Sequence, residues 1–327
     1  LRPFRILIVA IAILALALAI AACGGGNGAQ QIVDEATLRG VESGNLDLSL
    51  GIKATGEEGG DLDVDLTGPF EAEKGTQSPE LDLTATAQGT VGSKKVDFEG
   101  GITLAEGSKA YVSFEGTDYK VDPTTYGYGQ EILGESEEVS SCQEAVSERQ
   151  LSEFIEDPAE EGTVDVGGTS TTKVSGDVDG EAALEALHEM NEDALCSEQL
   201  KAVPGFGAQL TQIEESDVKA EDTIKDAHLT LYVGADHIVR RLQARVTVKL
   251  PKGSGPRKSA SFDIDLTLTK VNEPQTISAP KSSKPLSALF VKLGVNPIEL
   301  LGIVQGGIGG AGLINFLERI AAAGGTQ

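Results

Sequence analysis

From Leu46 onward the chain alternates apolar and polar residues, the repeat of a strand with one side in a core and one in water. Leu46-Asp47-Leu48-Ser49-Leu50-Gly51-Ile52 sets the pattern. Asp61 to Leu66, Leu81 to Thr84, Val96 to Phe98 and Ile102 to Leu104 repeat it, and Tyr111 to Phe114 and Tyr119 to Val121 end a first run of predicted strands. Gly or Pro falls in most of the intervals, at Gly56, Gly59-Gly60, Gly68-Pro69, Gly89, Gly100-Gly101, Gly107 and Gly116. The run therefore reads as an antiparallel meander with one apolar face. Strand character returns at Thr163 to Val166 and Thr171 to Gly176. Three long strands follow, over Ala227 to Val233, Ile238 to Leu250 and Ala260 to Val271.

Elsewhere the spacing is helical. Ala29 to Val41 carries Ile32, Val33, Ala36 and Leu38 at helical intervals and predicts a first helix. An acidic helical stretch is expected from Tyr126 to Glu156. A second runs from Glu181 to Leu195, with an extension over Ser197 to Leu210 broken at Pro204. The expected class is α+β, with about ten or eleven antiparallel strands and helices inserted in two places. Such a sheet cannot leave its apolar face in water, because burying one leucine is worth roughly 1.5 to 3 kcal/mol. Either it curls over its own helices or another element covers it. If the helices do not fill the concavity, a pocket for an apolar ligand remains.

The first residues follow a different logic. Arg2 and Arg5 precede an uninterrupted apolar run from Ile6 to Ala22, which fits the core of a secretory signal. The run ends in Ile20-Ala21-Ala22-Cys23, which resembles the lipobox of bacterial lipoproteins. The resemblance implies cleavage before Cys23 and acylation of its thiol. Gly24-Gly25-Gly26-Asn27-Gly28 then reads as a flexible tether. The expected division is a signal peptide over 1–22, a lipidated cysteine and tether over 23–28, a main domain over 29–280 and an apolar helical tail over 281–327. The mature chain is expected on the outer, extracytoplasmic face of a membrane, held by its lipid.

Charge narrows the partners. A net charge of −25 argues against nucleic acid, which needs clustered Lys and Arg. The sign reverses locally: between His237 and Phe262 there is no acidic residue, while Arg240, Arg241, Arg245, Lys249, Lys252, Arg257 and Lys258 are all basic. Arg240, Arg241 and Arg245 are candidate contacts for anionic headgroups. The competing reading, and the favoured one, is a hairpin whose charges blunt an exposed sheet edge. After Cys23 the remaining cysteines, Cys142 and Cys196, read as one disulfide in an oxidising compartment. Closing that loop would stabilise by about 4 kcal/mol in the chain-entropy model.

Signals for chemistry are weak. Gly307-Ile308-Gly309-Gly310-Ala311-Gly312 fits a dinucleotide fingerprint but lacks the acidic residue further on. Ser278-Ala279-Pro280-Lys281 lacks the companion elements of a penicillin-binding site. His188, His228 and His237 show no metal-ligand spacing. Asp61, Asp63 and Asp65 lie on one face of a strand and read as its solvated side rather than a calcium loop. No nucleophile with a base is legible, so neither an enzyme nor a metal or other cofactor is expected.

Three stretches carry a family resemblance. Glu106-Gly107-Ser108-Lys109-Ala110-Tyr111-Val112 leads to Gly116-Thr117-Asp118-Tyr119 and on to Asp122-Pro123. Gly168 to Gly176 and Val271 to Pro280 are the others. With the order of lipobox, tether, helix and meander, they resemble the LppX/LprG family of actinobacterial envelope lipoproteins, and more loosely the carriers LolA and LolB. The resemblance implies a strongly curved half-barrel sheet wrapped around helices. It also implies a hydrophobic cavity for acyl chains, and binding or transfer of lipids or lipoglycans without chemistry. The inward positions expected to line that cavity are Leu48, Leu50, Ile52, Leu62, Val64, Leu66, Leu81, Leu83, Phe262, Ile264 and Leu266. The alternative is a structural or partner-binding lipoprotein of the same fold, its concavity filled by its own helices and tail. The apolar tail from Leu286 to Ala323 departs from the family pattern and is expected to dock on the sheet or plug the cavity mouth.

Overall fold

The computed structural model describes residues 28–56, 59–72, 79–91, 94–105, 109–127, 154–182, 224–249 and 257–294. Helix α1 (Gly28–Glu35) leads into β1 (Ser43–Gly56), β2 (Gly60–Glu71), β3 (Glu80–Val91), β4 (Lys94–Ala105), β5 (Lys109–Phe114) and β6 (Thr117–Lys120). Next come β7 (Ile155–Val166), β8 (Thr169–Val178), β9 (Ile224–Gly234), β10 (Val239–Lys249) and β11 (Arg257–Thr269). The described part ends with β12 (Lys284–Pro285) and helix α2 (Leu286–Leu293). All twelve strands join one curved, unclosed sheet in the order β12-β6-β5-β4-β3-β2-β1-β11-β10-β9-β8-β7. Its ladders are antiparallel, apart from β12, which adds two residues in parallel beside β6. The α+β class with an antiparallel sheet is thus the one found, and β12 is the strand the alternation did not announce.

The sheet is joined in its middle by residues far apart in sequence. β1 pairs with β2 on one side and with β11 on the other. Leu48, Leu50 and Ile52 face Leu66, Val64 and Leu62 across one ladder, and Leu266, Ile264 and Phe262 across the other. A slip of one residue would put Asp63 and Asp263 in their place, so the alternation itself sets the register. The join is fastened beyond the strands: Asn272 accepts from the Glu42 N–H at 2.8 Å, and the Ser43 hydroxyl donates to the Glu273 carbonyl at 2.8 Å.

Two covers lie on the apolar face. Over β7 to β10, Val33 of α1 and Ala36 just after it are completely buried against Val174, Leu229, Leu231, Leu242 and their neighbours. At the other end, Leu286, Leu289 and Leu293 of α2 pack on Phe114 and Tyr119. That helix stops where Gly294 takes a left-handed conformation (φ 61°), its N–H capping the Val291 carbonyl. The first helix of the apolar tail therefore docks on the sheet.

Four local expectations need correction. The first helix ends at Glu35 rather than near Val41, because Thr37 makes a parallel bridge to Ile238: its N–H donates to the His237 carbonyl and its carbonyl accepts from Val239, each at 2.9 Å. β7 starts at Ile155, inside the stretch expected to be helical, and runs through Glu156, Pro158, Glu160 and Glu161. It is an edge strand with irregular register, where charge, Pro and bulges are tolerated and period two is lost. Gly68-Pro69, Gly89 and Gly100-Gly101 do not separate strands but lie inside β2, β3 and β4. A Cβ on Gly68 would stand 1.9 Å from the Asp82 carbonyl oxygen, and one on Gly89 would stand 2.2 Å from that of Asp61. These glycines let neighbouring backbones close up where a side chain would force them apart. Finally, β10 and β11 are interior strands, so the basic hairpin does not blunt an edge.

Candidate functional site

The apolar face is continuous from β4 to β8. Register carries it in rows: Phe98–Ala87–Val64–Leu50–Ile264–Ala244–Leu229 is one, and Ala85–Leu66–Leu48–Leu266–Leu242–Leu231–Val174 is another. Every position expected to line a cavity lies on this face, but the positions divide into two groups. Phe262, Ile264 and Leu266 on β11 are buried, at 1, 5 and 9 % exposure. Leu48, Leu50, Ile52, Leu62, Val64, Leu66, Leu81 and Leu83 are only half-buried. The face is closed from β11 toward β8 and partly open from β1 toward β4.

Further residues complete the open half. Leu104 opposes Leu81, Ile102 opposes Leu83, and Phe98 opposes Ala87. Ile102 is 51 % exposed, although its alternation matches that of its buried counterparts. The pattern Ile102-Thr103-Leu104 carried the necessary signal, since period two assigns it to the same side. Phe98 stacks at 6.1 Å on Phe114 and marks where the open half meets the α2 cover.

The opposite face is polar and tightly cross-linked. Asp265 accepts from Arg241 Nε at 2.8 Å and from Gln243 Nε2 at 2.8 Å. The Arg241 hydrogen bond, supported by that of Gln243, holds its carboxyl below the ordinary value against the opposing effect of burial. Arg241 also lies 5.5 Å from the centre of the Tyr232 ring, and Tyr232 donates its hydroxyl to Gln243 at 2.9 Å. Arg245 pairs with Asp263. Arg240 is buried and donates to Asp236 Oδ2 at 2.6 Å and to the Ile238 carbonyl at 3.3 Å, closing the β9–β10 turn. All three arginines named as headgroup contacts therefore spend charge on aspartates of this chain. His228 and His237 are about half exposed and pair with Asp177 and Glu35, each at 3.0 Å.

The other candidate residues, Cys23, Cys142, Cys196 and His188, lie outside the described residues, as do the signal stretch and the glycine fingerprint. Two expected helical segments are described only at their starts. Asp122 Oδ1 accepts from the N–H groups of Thr124 and Thr125, and Asp179 Oδ1 accepts from those of Glu181 and Ala182. Both are helix N-caps. The Thr125 hydroxyl, donating to Asp122, is the largest influence lowering that carboxyl. Among the described residues no group of three metal-ligating side chains converges, and no helix is long and apolar enough to cross a membrane.

No family model matches the chain, and no curated protein does. Solved structures do. LprF from Mycobacterium bovis is similar at 15 % identity and a TM-score of 0.33, over 78 % of this chain and 97 % of that one. The Mycobacterium tuberculosis lipoprotein LppX is similar at 16 % identity and a TM-score of 0.25, over 72 % of this chain and 90 % of that one. Both are lipoproteins of the LppX/LprG family. A structure described by the lipid–protein interactions of lipovitellin matches at 7 % identity and a TM-score of 0.30, over 76 % of this chain but 27 % of that one. These are distant likenesses of fold, and the site must be read from this chain's own residues.

Proposed function

We propose that this chain is an envelope lipoprotein that binds or transfers a lipid or lipoglycan on the open half of its apolar face, performing no chemistry on it. The supporting observation is the division of one continuous apolar face into a closed and a half-open part. Leu50 and Ile264 are ladder partners, yet the first is half-buried and the second is 5 % exposed. A leucine or isoleucine left partly open forgoes some of the roughly 1.5–3 kcal/mol that full burial supplies. Contiguous open apolar surface of this kind suits an acyl chain. In this reading Cys23 is acylated and holds the domain at the outer membrane surface, and Cys142 and Cys196 form a disulfide.

The test is native mass spectrometry of a soluble Cys23→Ala form made without its signal, followed by organic extraction. Stoichiometric diacyl lipid is the expected result, and its headgroup would name the cargo. A bare protein that also refuses added phospholipid would overturn the carrier reading and leave a structural or partner-binding lipoprotein. Anchoring is tested separately by the mass of the peptide that begins at Cys23, and the disulfide by thiol labelling with and without reductant.

A further inference from the structure

The apolar face has two covers of the same build. α1 lays Ala29, Ile32 and Val33 over β7 to β10, and α2 lays Leu286, Leu289 and Leu293 over β5 and β6. Each is about two turns long, with its apolar residues spaced to fall on one side. Between them the face stays half-open from β1 to β4, where Leu48, Leu62 and Leu83 are half-buried and Ile102 is 51 % exposed.

α2 delivers the chain to the border of that open half. Lys292 in its last turn pairs with Glu115 of the β5–β6 turn and stands 5.0 Å from the centre of the Phe114 ring. Phe98 of the open half packs on the same cluster as Leu293. Beyond Gly294 the sequence brings a third stretch of the same pattern. Leu313, Phe316, Leu317 and Ile320 recur at the spacing of one helical side, and Asn315, Glu318 and Arg319 fall on the other. Residues 295–312, which lead to it, include Gly302, Gly306, Gly307, Gly309, Gly310 and Gly312. A flexible chain of that length spans about 21–25 Å, against roughly 19 Å for the four strand spacings from β5 to β1. From 295 to 323 the charged residues are Glu299, Glu318 and Arg319 alone. The stretches 128–153 and 183–223 are acid-rich by comparison, with Glu135, Glu137 and Glu138 in one and Glu189, Glu192 and Asp193 in the other. The second also leaves from β8, on the closed side of the sheet. Carboxylates are costly to lay on an apolar face, so the tail fits the open half best.

We propose that the segment from Leu313 to Ile320 occupies the open half as a tethered stand-in for the lipid, and that cargo enters by displacing it. The tail is then a regulatory element of the lipid site, so this inference rests on the carrier reading. Without cargo, the tail keeps Ile102, Leu83 and their neighbours out of water. Its tether holds it at an effective concentration of about millimolar, so weak docking suffices. A tail docked about nine-tenths of the time lowers the apparent affinity for lipid about tenfold. Occupancy also sets a threshold, because a lipid must bury more apolar surface than these four side chains in order to replace them.

The test places p-benzoylphenylalanine at position 102 of the full chain, irradiates the producing cells and digests the protein with trypsin. The crosslink is expected on the peptide from Leu293 to Arg319. In the soluble Cys23→Ala form, added vesicles of phosphatidylethanolamine and phosphatidylglycerol should lower its yield. A second measurement follows phospholipid uptake from those vesicles by the same form, with and without the paired substitutions Phe316→Asp and Leu317→Asp. The pair should raise the apparent affinity about tenfold and leave circular dichroism unchanged. A crosslink to 128–153, to 183–223 or to membrane lipid instead of the tail would overturn the proposal, as would uptake that the pair does not raise. Failure of the carrier reading looks different: neither form takes up phospholipid although the tail crosslink is present, which would sink the exchange as well and leave the tail as a fixed cover.

Discussion

Ile52 and Phe262 are ladder partners on β1 and β11 and point to the same side of the sheet, yet Phe262 is 1 % exposed while Ile52 is half-buried. The boundary between the closed and open halves of the apolar face runs between these two residues. Nothing in their chemistry accounts for it; the difference lies in what covers them.

The boundary predicts opposite consequences for substitutions on either side. Phe262→Ala should cost about 3–5 kcal/mol in urea unfolding, as a cavity in a closed core does. Ile102→Ser, at a position 51 % exposed, should change stability by no more than about 0.5 kcal/mol while reducing phospholipid uptake. A fall in stability with uptake intact at Ile102 would place the ligand elsewhere.

Arg240 should behave as a structural residue. Its guanidinium closes the β9–β10 turn through Asp236 and the Ile238 carbonyl. Arg240→Ala is expected to destabilise by about 1–3 kcal/mol, measured by chemical denaturation. Uptake of anionic and neutral phospholipid should fall equally or not at all, whereas a headgroup contact would show a selective loss for the anionic lipid.

Acid should expose the Arg241–Asp265 link. Its hydrogen bond from Arg241 comes first among the influences that lower the Asp265 carboxyl, and burial opposes it. For Asp236 burial is the largest influence and acts upward, but the hydrogen bond and charge of Arg240, with the backbone N–H bonds from Ile238 and Asp236, together outweigh it. A carboxyl lowered on folding stabilises fully above its unfolded value and loses that contribution as pH falls through the folded one. The stability gap between the parent and Asp265→Asn should therefore be largest near neutrality and shrink as pH falls below the ordinary carboxylate range toward the lowered folded value. Urea midpoints across that range measure it.

Gly68 should tolerate no side chain. It has φ +147°, and a Cβ would stand 1.9 Å from the Asp82 carbonyl oxygen. Gly68→Ala is expected to cost at least about 2 kcal/mol or to shift the β2–β3 ladder. Gly51→Ala, in ordinary extended backbone with its nearest neighbour at 3.3 Å, should be close to neutral in thermal unfolding.

Much of this architecture is legible in the residues. The alternation from Leu46 to Ile52 assigns every second side chain to one face, and the observed ladders keep that assignment through β2, β3, β4 and β11. Strand limits were less legible. Gly68, Gly89 and Gly100 look like turns in one dimension, because a glycine needed for close backbone approach and one needed for a turn are the same residue. The first half of β7 was hidden by its position, since an edge strand has no need of apolar alternation and Glu156, Pro158 and Glu160 look helical or irregular, while Thr163 to Val166 did read as strand.

The candidate sites divide in the same way. That Leu48, Leu50, Ile52, Leu62, Val64 and Leu66 share an apolar face followed from period two alone, because strand geometry is local. Which of them stay half-open depends on where α1 and α2 come to rest, and contacts between elements distant in the chain decide that. The meeting of Arg241 with Asp265 and of Arg245 with Asp263 required β10 to pair with β11, and the gap over Gly51 between Asp63 and Asp263 required β1 to pair with both β2 and β11. Local sequence determined the two faces of this sheet; only the tertiary pairing of its first and last long strands determined what those faces enclose.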